Sequence, residues 1–159
     1  MDKHYLTPLF QPESIAVFAS KDSPETQTPQ AIALVQALTA QRFKGNLVFL
    51  DIHTTGTLAD LAQTRADLAV IALPPAETIE ALEVAGRIKC KAALVVGSGI
   101  PAAEAGEMHR VAKRHGMHLL GPNSLGFQRA SIGLNASAVG PLAAAGPLAL
   151  VSQSGALTA

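Results

Sequence analysis

Four short runs of apolar and β-branched residues, at positions 14–19, 46–51, 68–73 and 92–97, recur along the chain with helical patterns between them. Each is almost continuously hydrophobic and does not alternate, the pattern of a strand buried on both faces. A fifth run at 118–120 is short, and a sixth at 148–151 follows a stretch rich in Gly, Ala and Pro. Between the first two runs, Thr28 and Pro29 supply an N-cap and a first-turn proline, and Ile32, Leu34, Val35 and Leu38 can share one apolar face. Residues 78–88 and 101–115 repeat the idea, with Ile79 and Leu82 in one helix and Met108, Val111 and Ala112 in the other facing inward. Strand and helix alternate, and parallel neighbours need right-handed crossovers. The expected fold is therefore α/β, a Rossmann-like doubly wound parallel sheet with helices on both faces. One domain over residues 1–132 is expected, then a linker over 133–147. Residues 148–159 then either start a truncated second domain or dock a strand onto the first.

Composition narrows the classes of partner. The chain has 159 residues, 48% hydrophobic and 15% charged, which suits one well-covered sheet and excludes a disordered chain. Twelve basic and twelve acidic residues cancel and are scattered, so no cationic surface is available for nucleic acid or an anionic membrane. No apolar stretch reaches the roughly 20 residues of a membrane span, and no signal sequence opens the chain. With Cys90 as the single cysteine there is neither a disulfide framework nor a thiolate metal cluster, which fits a reducing cytosol and a cytoplasmic protein. Asn135-Ala136-Ser137 matches a glycosylation acceptor only formally. His109, His115 and His118 lie close in sequence, but 109 and 115 face different sides of a helix and no acid or cysteine completes a metal set. No P-loop and no nucleophile elbow is present, so no catalytic residue is assigned.

In open α/β sheets ligands bind beyond the carboxyl ends of the strands, so the residues after each run are the candidates. The glycine-rich dinucleotide fingerprint is absent after the first run, where Ala19, Ser20 and Lys21 stand, and this weakens an NAD-binding redox domain. That reading survives only through Asp51, where a ribose-binding acid would sit. Lys21 or His53 could instead meet a phosphate. Gly97-Ser98-Gly99-Ile100-Pro101 lets backbone approach a ligand, although an ordinary strand-to-helix turn explains it equally well. Gly121-Pro122-Asn123-Ser124-Leu125-Gly126 reads as turn chemistry. Ser152-Gln153-Ser154-Gly155 could offer an anion site at a helix start, or a plain N-cap.

Several segments together carry a family resemblance: residues 9–18, Leu119-Leu120-Gly121-Pro122-Asn123-Ser124-Leu125-Gly126, Gly133-Leu134-Asn135, and Val151-Ser152-Gln153-Ser154-Gly155-Ala156. In this order and spacing the chain resembles the CoA-binding domain of NDP-forming acyl-CoA synthetases, relatives of the succinyl-CoA synthetase α subunit. Within that family it is similar to the bacterial proteins in which a synthetase-like region is fused to a GNAT domain, the protein lysine acetyltransferases. The resemblance implies that coenzyme A or acyl-CoA lies across the strand ends. Its contacts would be Ala19, Ser20 and Lys21, then Leu73 and Pro74, then Ser98, Gly99 and Ile100, with Asn123 and Ser124 near the pantetheine thiol.

Ser154 and Gly155 would open the helix that, in the synthetases, steadies a phosphohistidine of the next domain. ATP or ADP would then belong to a full-length protein only, with downstream ligase-like or acetyltransferase domains as partners and a homo-oligomer left open. The chain departs from the family at Ala19 and Pro29, where glycines are usual, and at Asp51-Ile52-His53, where Asn-Pro-Lys is usual. These departures leave a second expectation standing, a degenerate Rossmann module with a regulatory or assembly role and no CoA binding.

Overall fold

A computed structural model of the chain describes residues 4–19, 28–40, 43–52 and 64–157. A short helix α1 (Thr7–Phe10) leads into β1 (Ser14–Phe18), α2 (Pro29–Ala40) and β2 (Asn46–Leu50). Then come β3 (Leu68–Ile71), α3 (Pro75–Arg87), β4 (Ala92–Val96), α4 (Ala102–Arg114) and β5 (His118–Ser124). A hairpin, β6 (Gly126–Arg129) and β7 (Leu134–Ser137), encloses the 3₁₀ turn Ala130–Ile132, and a second 3₁₀ turn, Gly155–Leu157, lies near the end.

The five strands β1 to β5 form one parallel sheet in the order β2-β1-β3-β4-β5. The chain moves outward from β1 to β2 and then returns past β1 to β3, so strand order reverses between β1 and β3. Strand pleating divides the core. Ile15 and Val17 point to the face covered by α2, through Leu34 and Leu38, and by β7, through Leu134 and Ala136. Ala16 and Phe18 point to the face covered by α3 and α4, through Leu82, Met108 and Val111. Strands β1, β3 and β4 are thus buried on both faces, as their unbroken apolar runs require. The outermost strand β2 differs, because Asn46 and Val48 are exposed. Helix α2 starts as expected, with Thr28 Oγ1 accepting the Ala31 N–H at 3.2 Å.

The amino ends of the strands are held by Asp67. Its Oδ2 accepts the N–H of Glu13 at 2.8 Å, the N–H of Ser14 at 3.1 Å and the hydroxyl of Ser14 at 3.2 Å. Its carbonyl accepts the N–H groups of Lys91 and Ala92, which ties β4 to the same corner.

Two expectations are corrected. Residues 133–147 are not a linker throughout: β7 occupies 134–137, all four of its residues are buried, and Leu134 and Ala136 complete the core beneath α2. Phe10 packs edge-on against Phe127 at 5.4 Å, fastening the hairpin to α1. The sixth apolar run, 148–151, is not a strand. Among the described residues it finds no partner strand, and Leu148 and Val151 are 94% and 96% exposed. The formal glycosylation triplet Asn135-Ala136-Ser137 lies in β7 and is buried.

Candidate functional site

Because the sheet is parallel, the connections leaving its strands line up along one edge. Across the sheet from β2 to β5 the row reads Asp51 after β2, Ala19 after β1, Leu73 and Pro74 after β3, Ser98 to Ile100 after β4, and Asn123 and Ser124 at the end of β5. Phe18 pairs with Leu50, so Ala19 and Asp51 leave the sheet as neighbours. Asp51 is half-buried, as is Leu73, whereas Pro74 and Ser98 are exposed. Ser20, Lys21 and His53 lie outside the described residues.

Each connection is shaped by its own chemistry. After β3, Thr78 reaches back from the first turn of α3; its hydroxyl donates to the Leu73 carbonyl at 2.9 Å and its N–H to the Pro74 carbonyl at 2.8 Å. Thr78 is fully buried, a polar residue in the core because both of its donors are used there. After β4, Gly99 has φ +72, and open space lies where its side chain would project, so a ligand can approach the main chain closely.

The end of β5 is more than the turn expected from its composition. Leu120 pairs with Leu94 and Ser124 with Val96, so β5 uses Gly121, Pro122 and Asn123 where β4 uses Val95 alone. The bulge requires glycine at 121, which has φ +94 and lies against the Val95 carbonyl; the Gly121–Pro122 peptide is cis. Asn123 tops the bulge in the left-handed region, at φ 61, which asparagine tolerates. Its Oδ1 accepts the Ile100 N–H at 2.8 Å and its Nδ2 donates to the Ile100 carbonyl at 3.1 Å. One side-chain amide thereby joins the last two connections of the row. Ser124 Oγ accepts the Gly126 N–H at 3.0 Å and turns the chain into the hairpin.

Ser154 and Gly155 come back to this end of the molecule, with Gly155 against Leu125. They open only the single 3₁₀ turn Gly155–Leu157, and the Ser154 N–H donates to Ser152 Oγ at 3.0 Å.

Much of the positive charge stands elsewhere. Lys44, Arg65, Lys89, Lys91, Lys113 and Arg114 lie in the segments that lead into the strands, at the opposite edge. A cavity of about 320 Å³ lies between the carboxyl-terminal half of α2 and residues 135–141. It is lined by Ala33, Ala37 and Ala40 and holds no charged side chain, so it is poorly suited to a phosphate-bearing ligand. Among the described residues no group of three His, Cys, Asp or Glu could hold a metal ion. No helix among them is long and apolar enough to cross a membrane.

Strand order 2-1-3-4-5, a reversal at β1/β3 and a continuous row of connections beyond the carboxyl ends define a nucleotide-binding α/β module. Residues 13–130 match the family model described as a CoA binding domain, and the chain belongs to that family.

The α subunit of an ADP-forming acetate–CoA ligase I from Pyrococcus furiosus is 30% identical over 96% of this chain and 36% of its own length. An ADP-forming acetate–CoA ligase I from Archaeoglobus fulgidus is 36% identical over 57% of this chain and 14% of its own length. Among solved structures, a dinucleotide forming acetyl-coenzyme A synthetase 1 of Ca. Korarchaeum cryptofilum, in complex with phosphate and ADP, superposes with a TM-score of 0.80. It is 30% identical, over 96% of this chain and 34% of that one. A protein of Pyrococcus horikoshii gives a TM-score of 0.79 at 26% identity, over 96% of this chain and 37% of that one. The chain thus spans between 14% and 36% of the length of these ligases. It is a CoA-binding module of the type these synthetases carry.

Proposed function

We propose that the row of connections at the carboxyl edge holds coenzyme A or its acyl thioester, and that the chain contributes binding and no covalent step. Ala19, Leu73, Pro74, Ser98, Gly99 and Ile100 line the course of the ligand in this reading, together with Ser20 and Lys21. Asn123 and Ser124 stand at the thiol end, and Asp51 and His53 beside the nucleotide. The observation that carries it is the family match over residues 13–130, a span that includes every connection of the row. The local structure is compatible: the edge offers main chain, small residues and hydroxyls at close range.

In the longer protein that the relatives' lengths suggest, this module would serve an ADP-forming acyl-CoA synthetase or a GNAT-fused lysine acetyltransferase. ATP or ADP would be handled by downstream ligase-like domains in a cytoplasmic enzyme. The compact module ends after β7 in this reading. Residues 148–157 then belong with the next domain, Ser154 and Gly155 standing ready to meet it. A ligase-like domain or a GNAT domain encoded downstream separates the two contexts.

Calorimetric titration with CoA, 3′-dephospho-CoA and NAD tests the reading. CoA should bind, dephospho-CoA more weakly, and NAD not measurably. Folded protein that binds none of them, alone or extended through its next domain, overturns the CoA site in favour of a regulatory module without ligand.

A further inference from the structure

We propose that Gln30 is a positioning residue for the phosphate-bearing part of the ligand, and that its hydrogen bond to Ser98 is a strap which the incoming ligand opens. The proposal rests on the CoA reading above and adds to it a residue outside the expected set.

Gln30 is the second residue of α2, on the crossover that leaves β1, and Ser98 is in the connection after β4. These strands are not neighbours, because β3 lies between them. At about 4.8 Å per strand the two connections start roughly 10 Å apart. Gln30 Nε2 nevertheless donates to Ser98 Oγ, at 3.4 Å. The bond therefore ties the crossover that follows β1 to the connection after β4, two strands that flank β3 and the reversal of strand order. A ligand that lies across the ends of β1, β3 and β4, as proposed above, runs beside both partners of this bond.

The bond is built to yield. Its length is near the limit for a hydrogen bond, Ser98 is exposed and Gln30 is half-buried, so little is lost when the carboxamide turns to a better acceptor. The first turn of α2 also needs such a donor. Pro29 has no N–H, and the Ala31 N–H is taken by Thr28 Oγ1, so two of the main-chain donors that a helix start usually offers an anion are spent. The Gln30 carboxamide replaces them with a neutral N–H at an edge from which Lys44, Arg65, Lys89 and Lys91 are remote. Sequence periodicity passes over it, because it lies inside a helical pattern whose apolar positions draw the attention.

CoA titrations of the wild-type chain and of Gln30→Ala and Gln30→Glu, with melting temperatures for all three, decide the matter. Alanine should weaken CoA about tenfold, as expected for one lost hydrogen bond to a charged group. Glutamate should weaken it further by setting a carboxylate against phosphate. Both replacements are good helix formers at a half-buried first-turn position of α2, so the melting temperatures should stay close together. A merely structural role would tie lost affinity to a lower melting temperature and would not rank glutamate below alanine. If the wild type binds CoA and Gln30→Ala binds it equally or more tightly, the role of Gln30 falls and the CoA reading stands. If the wild type binds no CoA, either alone or extended through its next domain, both fall.

Discussion

The side-chain amide of Asn123 pairs with both main-chain polar groups of Ile100, accepting from its N–H at 2.8 Å and donating to its carbonyl at 3.1 Å. This is the arrangement a neighbouring strand would make, delivered by one side chain from the bulge that precedes the last β4–β5 pair, Val96 with Ser124.

Replacing Asn123 by alanine removes both bonds and leaves at φ near +60 a residue that tolerates the left-handed region less well than asparagine. The expected cost is about 2 to 3 kcal/mol in urea unfolding, two hydrogen bonds plus the left-handed strain. Asn123→Gly should recover the backbone share only. If the two variants are equally destabilised, the strain contributes nothing and the bonds alone account for the loss.

Leu134 is fully buried beneath α2, although residues 133–147 read as a linker. Leu134→Ala should cost about 3 kcal/mol, the usual range for a leucine removed from a closed core. A chain ending at residue 132 should lose cooperative unfolding altogether. A loss under about 0.5 kcal/mol in the point variant, a surface-like value, would show that the hairpin is peripheral.

Cys90 is buried, and burial reinforced by the carboxylate of Asp67 pushes its thiol up to about 12. Since the thiolate is the nucleophile, the folded chain should resist iodoacetamide at pH 8 and react only on opening. The labelling rate followed by mass spectrometry should rise with urea in step with unfolding. Rapid labelling without denaturant would contradict the burial.

His115 lies 2.7 Å from Glu83, but Arg114 pairs with the same carboxylate. Burial, and then Arg114, Arg87 and Lys89, hold the imidazole below its ordinary 6.5. Below pH 6.5 the unfolded chain therefore binds a proton that the folded one takes up only at lower pH. The stability from this residue is complete above 6.5 and is lost as pH falls through the folded value. Urea midpoints measured from pH 8 to 5 should decline, and His115→Gln should flatten the decline. An unchanged slope in the variant would assign the pH dependence to other groups.

Where the sequence is legible, a simple physical cause stands behind it. Strands β1, β3 and β4 announce themselves because helices cover both of their faces. Met108, Val111 and Ala112 stand out because α4 has one buried stripe. The hairpin does not, since Gly126-Phe127-Gln128-Arg129 and Leu134-Asn135-Ala136-Ser137 are short and part polar, held by pairing with each other and by α2. The opposite error at 148–151 has the same origin: apolar residues mark a strand only where a partner exists. At the candidate site, that the connections after successive strands share one edge follows from parallel topology and is readable; their order across the sheet is not. The Asn123 clasp is not, because it depends on a bulge in β5 that no local pattern encodes. Gln30 escapes notice because its role is set by Ser98, 68 residues away.

The position of β2 has a consequence for the behaviour of the protein in bulk. It is the outermost strand described on its side of the sheet, it carries no charged residue, and it exposes the apolar side chain of Val48. A formal net charge of +0 at pH 7 supplies no repulsion between molecules either. Precipitation on prolonged storage should therefore begin along this border, be greatest near neutral pH, and be suppressed by Val48→Lys.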